Sequence, residues 1–250
     1  MLANLDIQAL LAVIVALGLG GFVKGATGSG APLVAVPVMA AFYDVKMAIV
    51  VMVVPNLVNN ALQAWSYREH IHPPKLALFM ALGSIPGIFL GTRLLSALEP
   101  ETLSLALGVL LVCYLLLRIF NPQAELGRRV ALFLSFPAGF GAGLLHGTAG
   151  ISGPAAVLFL STMNLARPAF VGTISAFFVT GAVAHIPALW QQDLLTWNGL
   201  MISTLALIPV SLCLQLGNRA ARRLPKETFN RWVLVLIAVL AARLLWRGLA

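Results

Sequence analysis

Residues 24–32 of the chain read KGATGSGAP, and residues 146–154, 122 positions later, read HGTAGISGP. Both stretches interrupt long apolar segments, so each places glycines, hydroxyl groups and one basic side chain at membrane depth. Lipid cannot satisfy the hydrogen bonds of a loosened backbone, so such a break persists only where protein or a water-filled cavity lines it. A matched pair of glycine-broken apolar segments is the best sequence indication of a transporter's binding site. The sequence therefore predicts a duplicated membrane transporter whose substrate is held between the two breaks.

The composition places the chain in a lipid bilayer. Hydrophobic residues make up 60% of the sequence and charged residues 10%, whereas roughly a quarter of the residues of soluble proteins are charged. The net charge of +8 does not indicate nucleic-acid binding, because the cations fall in short clusters between apolar segments, as in cytoplasmic membrane loops. Cys113 and Cys213 lie inside apolar segments and are expected to be small core residues. No metal or cofactor is expected, since His70 and His72 lack a third ligand nearby.

Charges and prolines divide the chain into two series of five apolar segments. The segments are 6–24, 29–43, 47–67, 76–96 and 101–120, followed by 130–146, 151–165, 169–190, 195–217 and 228–246. Several have about 20 residues, which is enough to cross a hydrocarbon core of about 30 Å. The fold class predicted is an all-α polytopic membrane protein with short broken helices at the membrane midplane.

The repetition extends beyond the glycine motifs. Residues 91–93 (GTR) recur as residues 217–219 (GNR), and the Leu, Glu and Thr that follow the first triplet recur after the second in the same register. Repeated blocks in the same order indicate two homologous halves. We expect a first repeat over residues 1–120, a connecting loop over 121–129 and a second repeat over 130–250.

The distribution of cations predicts how the two repeats are oriented, since Lys and Arg concentrate on the cytoplasmic side. If all ten segments cross, one side holds eleven cations and the other holds Lys46, Arg93, Arg243 and Arg247. The eleven are Arg68, Lys75, Arg118, Arg128, Arg129, Arg167, Arg219, Arg222, Arg223, Lys226 and Arg231. If segments 29–43 and 151–165 are re-entrant instead, the split becomes eight against seven. The asymmetric split favours ten crossing segments and inverted repeats.

The two motifs carry the chemistry of an anion site. A half-helix that begins inside a membrane presents unpaired N–H groups and the positive end of its dipole, and Pro32 and Pro154 suit the first turn of such a helix. Glycines let the backbone approach a ligand closely, and Thr and Ser add hydroxyl donors. The expected substrate-binding residues are Lys24, Gly25, Thr27, Gly28, Ser29 and Gly30 in the first motif, and His146, Gly147, Thr148, Gly150, Ser152 and Gly153 in the second.

Several of these residues are also compatible with purely structural roles. Membrane glycines often serve close helix packing, and Lys24 could extend to an interface. His146 could bond a helix carbonyl, or it could carry a coupling proton together with His185, because imidazoles titrate near neutral pH. Asn56 and Asn59 lie on one face of the third segment and are further candidates to line the pocket, although polar side chains in membranes more often join helices.

The paired motifs KGATGSGAPL and HGTAGISGP, in a duplicated chain of this length, resemble the sulfite exporter TauE/SafE family, also called the sulfonate uptake permease family. The resemblance covers essentially the whole sequence. It implies a multi-pass transporter in the inner (plasma) membrane for sulfur-containing or organic anions such as sulfite or sulfonates. The family does not settle the direction of transport, and its members differ in substrate.

The mechanism expected is secondary transport by alternating access, with export as the expected direction and a proton as the expected coupling ion, sodium being the alternative. The partners are then a small anion and the lipid bilayer, with a homodimer left open. An enzyme is not expected, but the alternative is an intramembrane serine protease, since residues 150–153 match the pattern GxSG. That alternative requires a hydrogen bond between Ser152 and His185. An anion channel is the third possibility.

Overall fold

The structure is a computed structural model that describes residues 7–28, 30–120, 126–220 and 226–249. These residues form ten α-helices and one 3-10 helix (Arg68–His70), and they contain no β-strand. The helices are α1 (Ile7–Thr27), α2 (Ala31–Phe42), α3 (Val45–Ser66), α4 (Pro74–Ala97), α5 (Pro100–Phe120), α6 (Arg128–Ala149), α7 (Gly153–Ser161), α8 (Arg167–Gln191), α9 (Trp197–Ala220) and α10 (Lys226–Leu249). The predicted all-α fold is confirmed, and each predicted segment corresponds to one helix.

Helix lengths separate spanning helices from half-length ones. Five of the described helices, α3, α4, α6, α8 and α9, are long and apolar enough to cross a membrane. The 12 residues of α2 and the nine of α7 are too few to cross a core of about 30 Å alone, at about 1.5 Å per residue. The outer face of α9 exposes large apolar side chains, among them Trp197, Met201 and Leu205. Such a face is suited to contact with lipid.

Each half-length helix turns back along the helix before it. Gly20 of α1 lies so close to α2 that a Cβ atom there would collide with Ala31 and Ala35. After α7, the carbonyl of Thr162 accepts a 3.1 Å hydrogen bond from the N–H of Leu126, which precedes α6. The chain therefore returns after α7 to the end at which α6 begins. Arg128, Arg129 and Arg167 then lie at the same end, as they do if all ten segments cross the membrane. The orientation of the chain in the membrane stays a prediction.

The chain divides into two compact units, and each unit combines helices from both predicted repeats. The first unit covers Met1–Pro55, Glu99–Ile119 and Met201–Ala250, and it contains α1, α2, the first half of α3, α5, most of α9 and α10. The second unit covers Asn56–Leu98 and Phe120–Leu200, and it contains the rest of α3, α4, α6, α7 and α8. The limits of the repeats stay a prediction.

Glycines hold the central helix pair of each unit together at close range. In the first unit, Cβ atoms at Gly21 and Gly25 of α1 would collide with the backbone of α9 at Val210 and Leu214. In the second unit, Cβ atoms at Gly143 and Gly147 of α6 would collide with the backbone of α4 at Ser84 and Ile88. Contacts this close require residues without a side chain, and they are typical of packed membrane helices.

Candidate functional site

The first predicted break is confirmed and lies in the first unit. Helix α1 ends at Thr27, Gly28 and Gly30 adopt φ values of 84° and 99°, and α2 begins at Ala31 with Pro32 in its first turn. These left-handed conformations suit glycine, which has no Cβ atom. The N–H of Gly28 closes the end of α1 by donating to the carbonyl of Lys24 at 2.7 Å. Ser29 lies outside the described residues.

Lys24 occupies the last turn of α1 and is 3% exposed. A cation buried to this extent inside a membrane segment is costly and is by default a candidate functional group. The hydroxyl of Thr27 donates to the carbonyl of Val23 at 2.9 Å, so its proton is used within α1. Close packing against α9 accounts for Gly25. Contact of these residues with a substrate stays a prediction.

The second predicted break is also confirmed and lies in the second unit. Helix α6 ends at Ala149, and Gly150 caps it with φ 66° and a 2.8 Å hydrogen bond from its N–H to the carbonyl of His146. Helix α7 begins at Gly153 with Pro154 in its first turn, and it has no side-chain cap and no acidic residue in that turn. The positive end of the α7 dipole therefore carries no protein carboxylate from its own first turn.

Three buried polar side chains meet at this break. The hydroxyl oxygen of Ser152 lies 3.3 Å from Nδ1 of His146, and the rings of His146 and His185 pack edge to face with centroids 4.7 Å apart. Exposure is 4% for Ser152, 5% for His146 and 3% for His185. Among the described residues, Nε2 of His185 is one of the few buried side-chain atoms without a hydrogen-bond partner. A buried polar group of this kind requires an explanation, and a bound ligand or ordered water would provide one.

His185 contacts the second motif although its distance in sequence gives no indication of this. It lies on α8, 39 residues after His146, and sequence periodicity cannot predict which residues of two different helices meet. The available indication is that a titratable residue within an apolar segment usually faces the interior of the bundle. The imidazole that contacts Ser152 is that of His146, from the same motif, and not that of His185, which the protease alternative requires.

The glycines of the second motif have different surroundings. A Cβ atom at Gly147 would collide with the backbone of α4 at Ile88 and Thr92, so close packing accounts for this residue. A Cβ atom at Gly153 would meet nothing within 4 Å. The backbone of Gly153, next to Ser152, is therefore open on the side where a side chain would stand. The hydroxyl of Thr148 donates to the carbonyl of Leu144 at 2.8 Å and thus bonds within α6.

The predicted pocket residues of α3 lie in the second unit, on the part of the helix that follows Pro55. The backbone carbonyl of Asn56 accepts a 2.7 Å hydrogen bond from the side-chain amide of Asn60. Asn59 is 6% exposed, and Oε1 of Gln63 on the same helix is buried without a hydrogen-bond partner. This stretch of α3 is therefore polar inside the unit, and its contact with a substrate stays a prediction.

Comparison with known proteins gives one family. The family model described as Sulfite exporter TauE/SafE matches residues 12–244, which is nearly the whole chain. No curated protein and no solved structure matches the chain.

Proposed function

The chain belongs to the sulfite exporter TauE/SafE family, and from this premise we propose that it exports a small sulfur-containing oxyanion by secondary transport with alternating access. Membership makes it a membrane transporter of sulfite or related sulfur anions. Direction, mechanism and coupling ion are the parts that we propose. We also propose that it acts in the inner (plasma) membrane.

The buried cluster of His146, Ser152 and His185 carries the proposal. A hydroxyl, two imidazoles and the N-terminus of α7 supply hydrogen-bond donors within this cluster, and the backbone of Gly153 beside Ser152 has no heavy atom within 4 Å of where a Cβ would stand. A helix N-terminus favours an anion, and a hydroxyl can donate to an oxyanion oxygen while the imidazoles supply N–H donors. The three oxygens of sulfite match several separate donors of this kind.

The break in the first unit supports an anionic substrate in the same way. Helix α2, like α7, begins after glycines in the left-handed region and has no acidic residue in its first turn. The buried side chain of Lys24 precedes this break at the position that His146 occupies before the other. Both breaks therefore favour negative charge by fixed dipoles and by a basic side chain.

We propose a proton as the coupling ion. Imidazole can bind and release a proton, and His146 and His185 lie in contact inside a membrane segment. A proton that this pair takes up when the anion has left, and releases when the next anion binds, would couple the two by exchange, so that an inward proton gradient would drive the anion outward. The sequence contains no glycine-rich lysine loop for ATP, which leaves an ion gradient or the substrate's own gradient as the source of energy.

The test is sulfite uptake into proteoliposomes under an imposed pH gradient. Saturable uptake is expected, with KM raised about tenfold or more in His146→Gln and in Ser152→Ala, because each loses a hydrogen bond to a charged ligand. Ser161→Ala is the matched control, since Ser161 is an exposed serine of the same helix α7. Wild-type kinetics in both site variants would overturn the assignment of the site, and uptake that never saturates would indicate a channel.

The contact between Ser152 and His146 is also the pairing that a serine protease uses, so this alternative needs its own discrimination. A protease would lose all activity on a peptide substrate in Ser152→Ala, because the nucleophile would be gone. A transporter would retain flux at saturating sulfite. Peptide cleavage by the wild-type protein that vanishes in Ser152→Ala would favour the enzyme.

A further inference from the structure

A small cavity lies in the second unit at the point where α4 and α6 begin. Its volume is about 160 Å³, and it is lined by Pro73, Pro74, Lys75, Leu76, Arg128 and Leu132. Two of the six lining residues are cations and the others are apolar. Lys75 and Arg128 are exposed, so both can reach a ligand from the surface of the unit.

The parallel packing of α4 and α6 brings two positive helix ends to this cavity. Contacts between the two helices advance in the same direction along both: Gly83 lies against Phe136, Gly87 against Phe140 and Gly91 against Leu144. Helices that run parallel add their dipoles at the same end, whereas antiparallel helices would cancel them. Neither α4 nor α6 has an acidic residue in its first turn or a side-chain cap.

The cavity is placed where a lipid headgroup would lie. Both α4 and α6 are long and apolar enough to span a membrane, so their first residues lie at the level of the headgroups. The distribution of cations predicts that this end is cytoplasmic, where anionic lipids are available. Basic pockets between membrane helices on that side bind anionic headgroups.

We propose that this cavity binds an anionic phospholipid. Lys75 and Arg128 contact the phosphate together with the N-terminal ends of α4 and α6, while the exposed ring of Pro74 and the half-buried Leu132 contact the first part of an acyl chain. The apolar lining distinguishes this ligand from free phosphate, which would gain nothing from Pro74 or Leu132. The site is separate from the cluster at the start of α7 and does not depend on the proposed transport function.

The test compares lipids in the purified full-length protein. Binding of phosphatidylglycerol and of phosphatidylcholine with the same acyl chains is titrated by native mass spectrometry, and thermal unfolding is followed in each lipid. Phosphatidylglycerol is expected to bind the wild-type protein more tightly and to raise its melting temperature. Its affinity is expected to fall about fivefold for each cation removed and about thirtyfold in the double variant Lys75→Gln/Arg128→Gln. This is the size of the contribution that one Lys or Arg makes when it contacts an anionic lipid surface.

The control is Arg93→Gln/Arg219→Gln, which removes two exposed cations outside the cavity and should leave lipid preference unchanged. The charge-preserving variant Lys75→Arg/Arg128→Lys should retain the preference and shows whether a loss reflects charge or folding. Equal affinity for the two lipids in the wild-type protein, or an equal loss in the control, would overturn the proposal. Protection by inorganic phosphate or glycerophosphate equal to that by the lipid would overturn the lipid as the ligand.

Discussion

Pro55 removes a hydrogen bond from the middle of α3, and Ser203 of α9 replaces it. Proline has no N–H, so the carbonyl of Val51, four residues earlier, cannot have its helical partner. The hydroxyl of Ser203 donates to that carbonyl at 3.0 Å and accepts from the N–H of Val54 at 2.9 Å. One buried serine of α9 thus bonds to two backbone groups of α3 at the point where Pro55 interrupts the hydrogen bonds of the helix.

Ser203→Ala is therefore expected to lower the free energy of unfolding by about 1 kcal/mol, since it leaves the carbonyl of Val51 without a partner and removes the hydroxyl that the N–H of Val54 contacts. In the background of Pro55→Ala the N–H of residue 55 can bond to Val51, and the same substitution should cost about half as much. The measurement is thermal unfolding of the purified protein in detergent. Ser66→Ala, an exposed serine bonded within α3, is the control and should change little. Equal costs in both backgrounds would show that Pro55 and Ser203 are not coupled.

At the scale of elements, the glycines of the second motif have two separable roles. Gly147 lies against the backbone of α4, while Gly153 begins α7 beside open space. Gly147→Ala is expected to lower the melting temperature by several degrees, because its Cβ atom forces α4 and α6 apart. Gly153→Ala is expected to leave the melting temperature within about one degree and to raise KM for sulfite, because its methyl group occupies the space next to Ser152.

The two variants are matched, since each adds one methyl group within the same motif. Unfolding followed by tryptophan fluorescence and sulfite uptake in proteoliposomes distinguish them. If Gly153→Ala left KM unchanged at full stability, the space beside Ser152 would not be the binding site. If Gly147→Ala were fully stable, the close contact with Ile88 would not hold α4 and α6 together.

The sequence predicts the breaks well because glycine and proline act locally. Gly28, Gly30 and Gly150 stand at the left-handed positions, and Pro32 and Pro154 stand in the first turns of α2 and α7. The partners of the glycine faces could not be predicted, because glycines occur in α1, α4, α6 and α9 alike and any pair of these helices could have packed closely. The contact between His146 and His185 depends on the same long-range packing, so the sequence alone could not reveal it either.

For the whole molecule, the internal contacts of the two units follow one pattern. Residues of α1 and α9 in the first unit have counterparts in α6 and α4 of the second, at offsets of 122 and 126 positions. The corresponding pairs are Gly21–Val210 with Gly143–Ser84, Gly25–Leu214 with Gly147–Ile88, and Gly217–Phe22 with Gly91–Leu144. This correspondence supports the proposal of two repeats. With the predicted limits, each repeat would contribute its fourth helix to the unit that contains the first helix of the other.

The orientation of the chain can be decided by three exposed arginines, Arg93, Arg129 and Arg167. If α6 and α7 together leave and return to one membrane face, as the hydrogen bond between Leu126 and Thr162 indicates, Arg129 and Arg167 lie on the same side. Arg93, near the other end of α4, lies on the opposite side. The positive-inside rule predicts that Arg129 and Arg167 are cytoplasmic.

Each arginine is replaced singly by cysteine in a background that lacks Cys113 and Cys213, and intact cells are treated with a membrane-impermeant maleimide. Arg93→Cys is expected to react in intact cells, whereas Arg129→Cys and Arg167→Cys react only after the cells are permeabilised. Labelling of all three after permeabilisation is the control for accessibility. If Arg129→Cys and Arg167→Cys reacted from opposite sides, α6 and α7 would cross the membrane once between them. The second repeat would then have four crossings, and a first repeat with the same four crossings would place the two repeats in the same orientation rather than inverted.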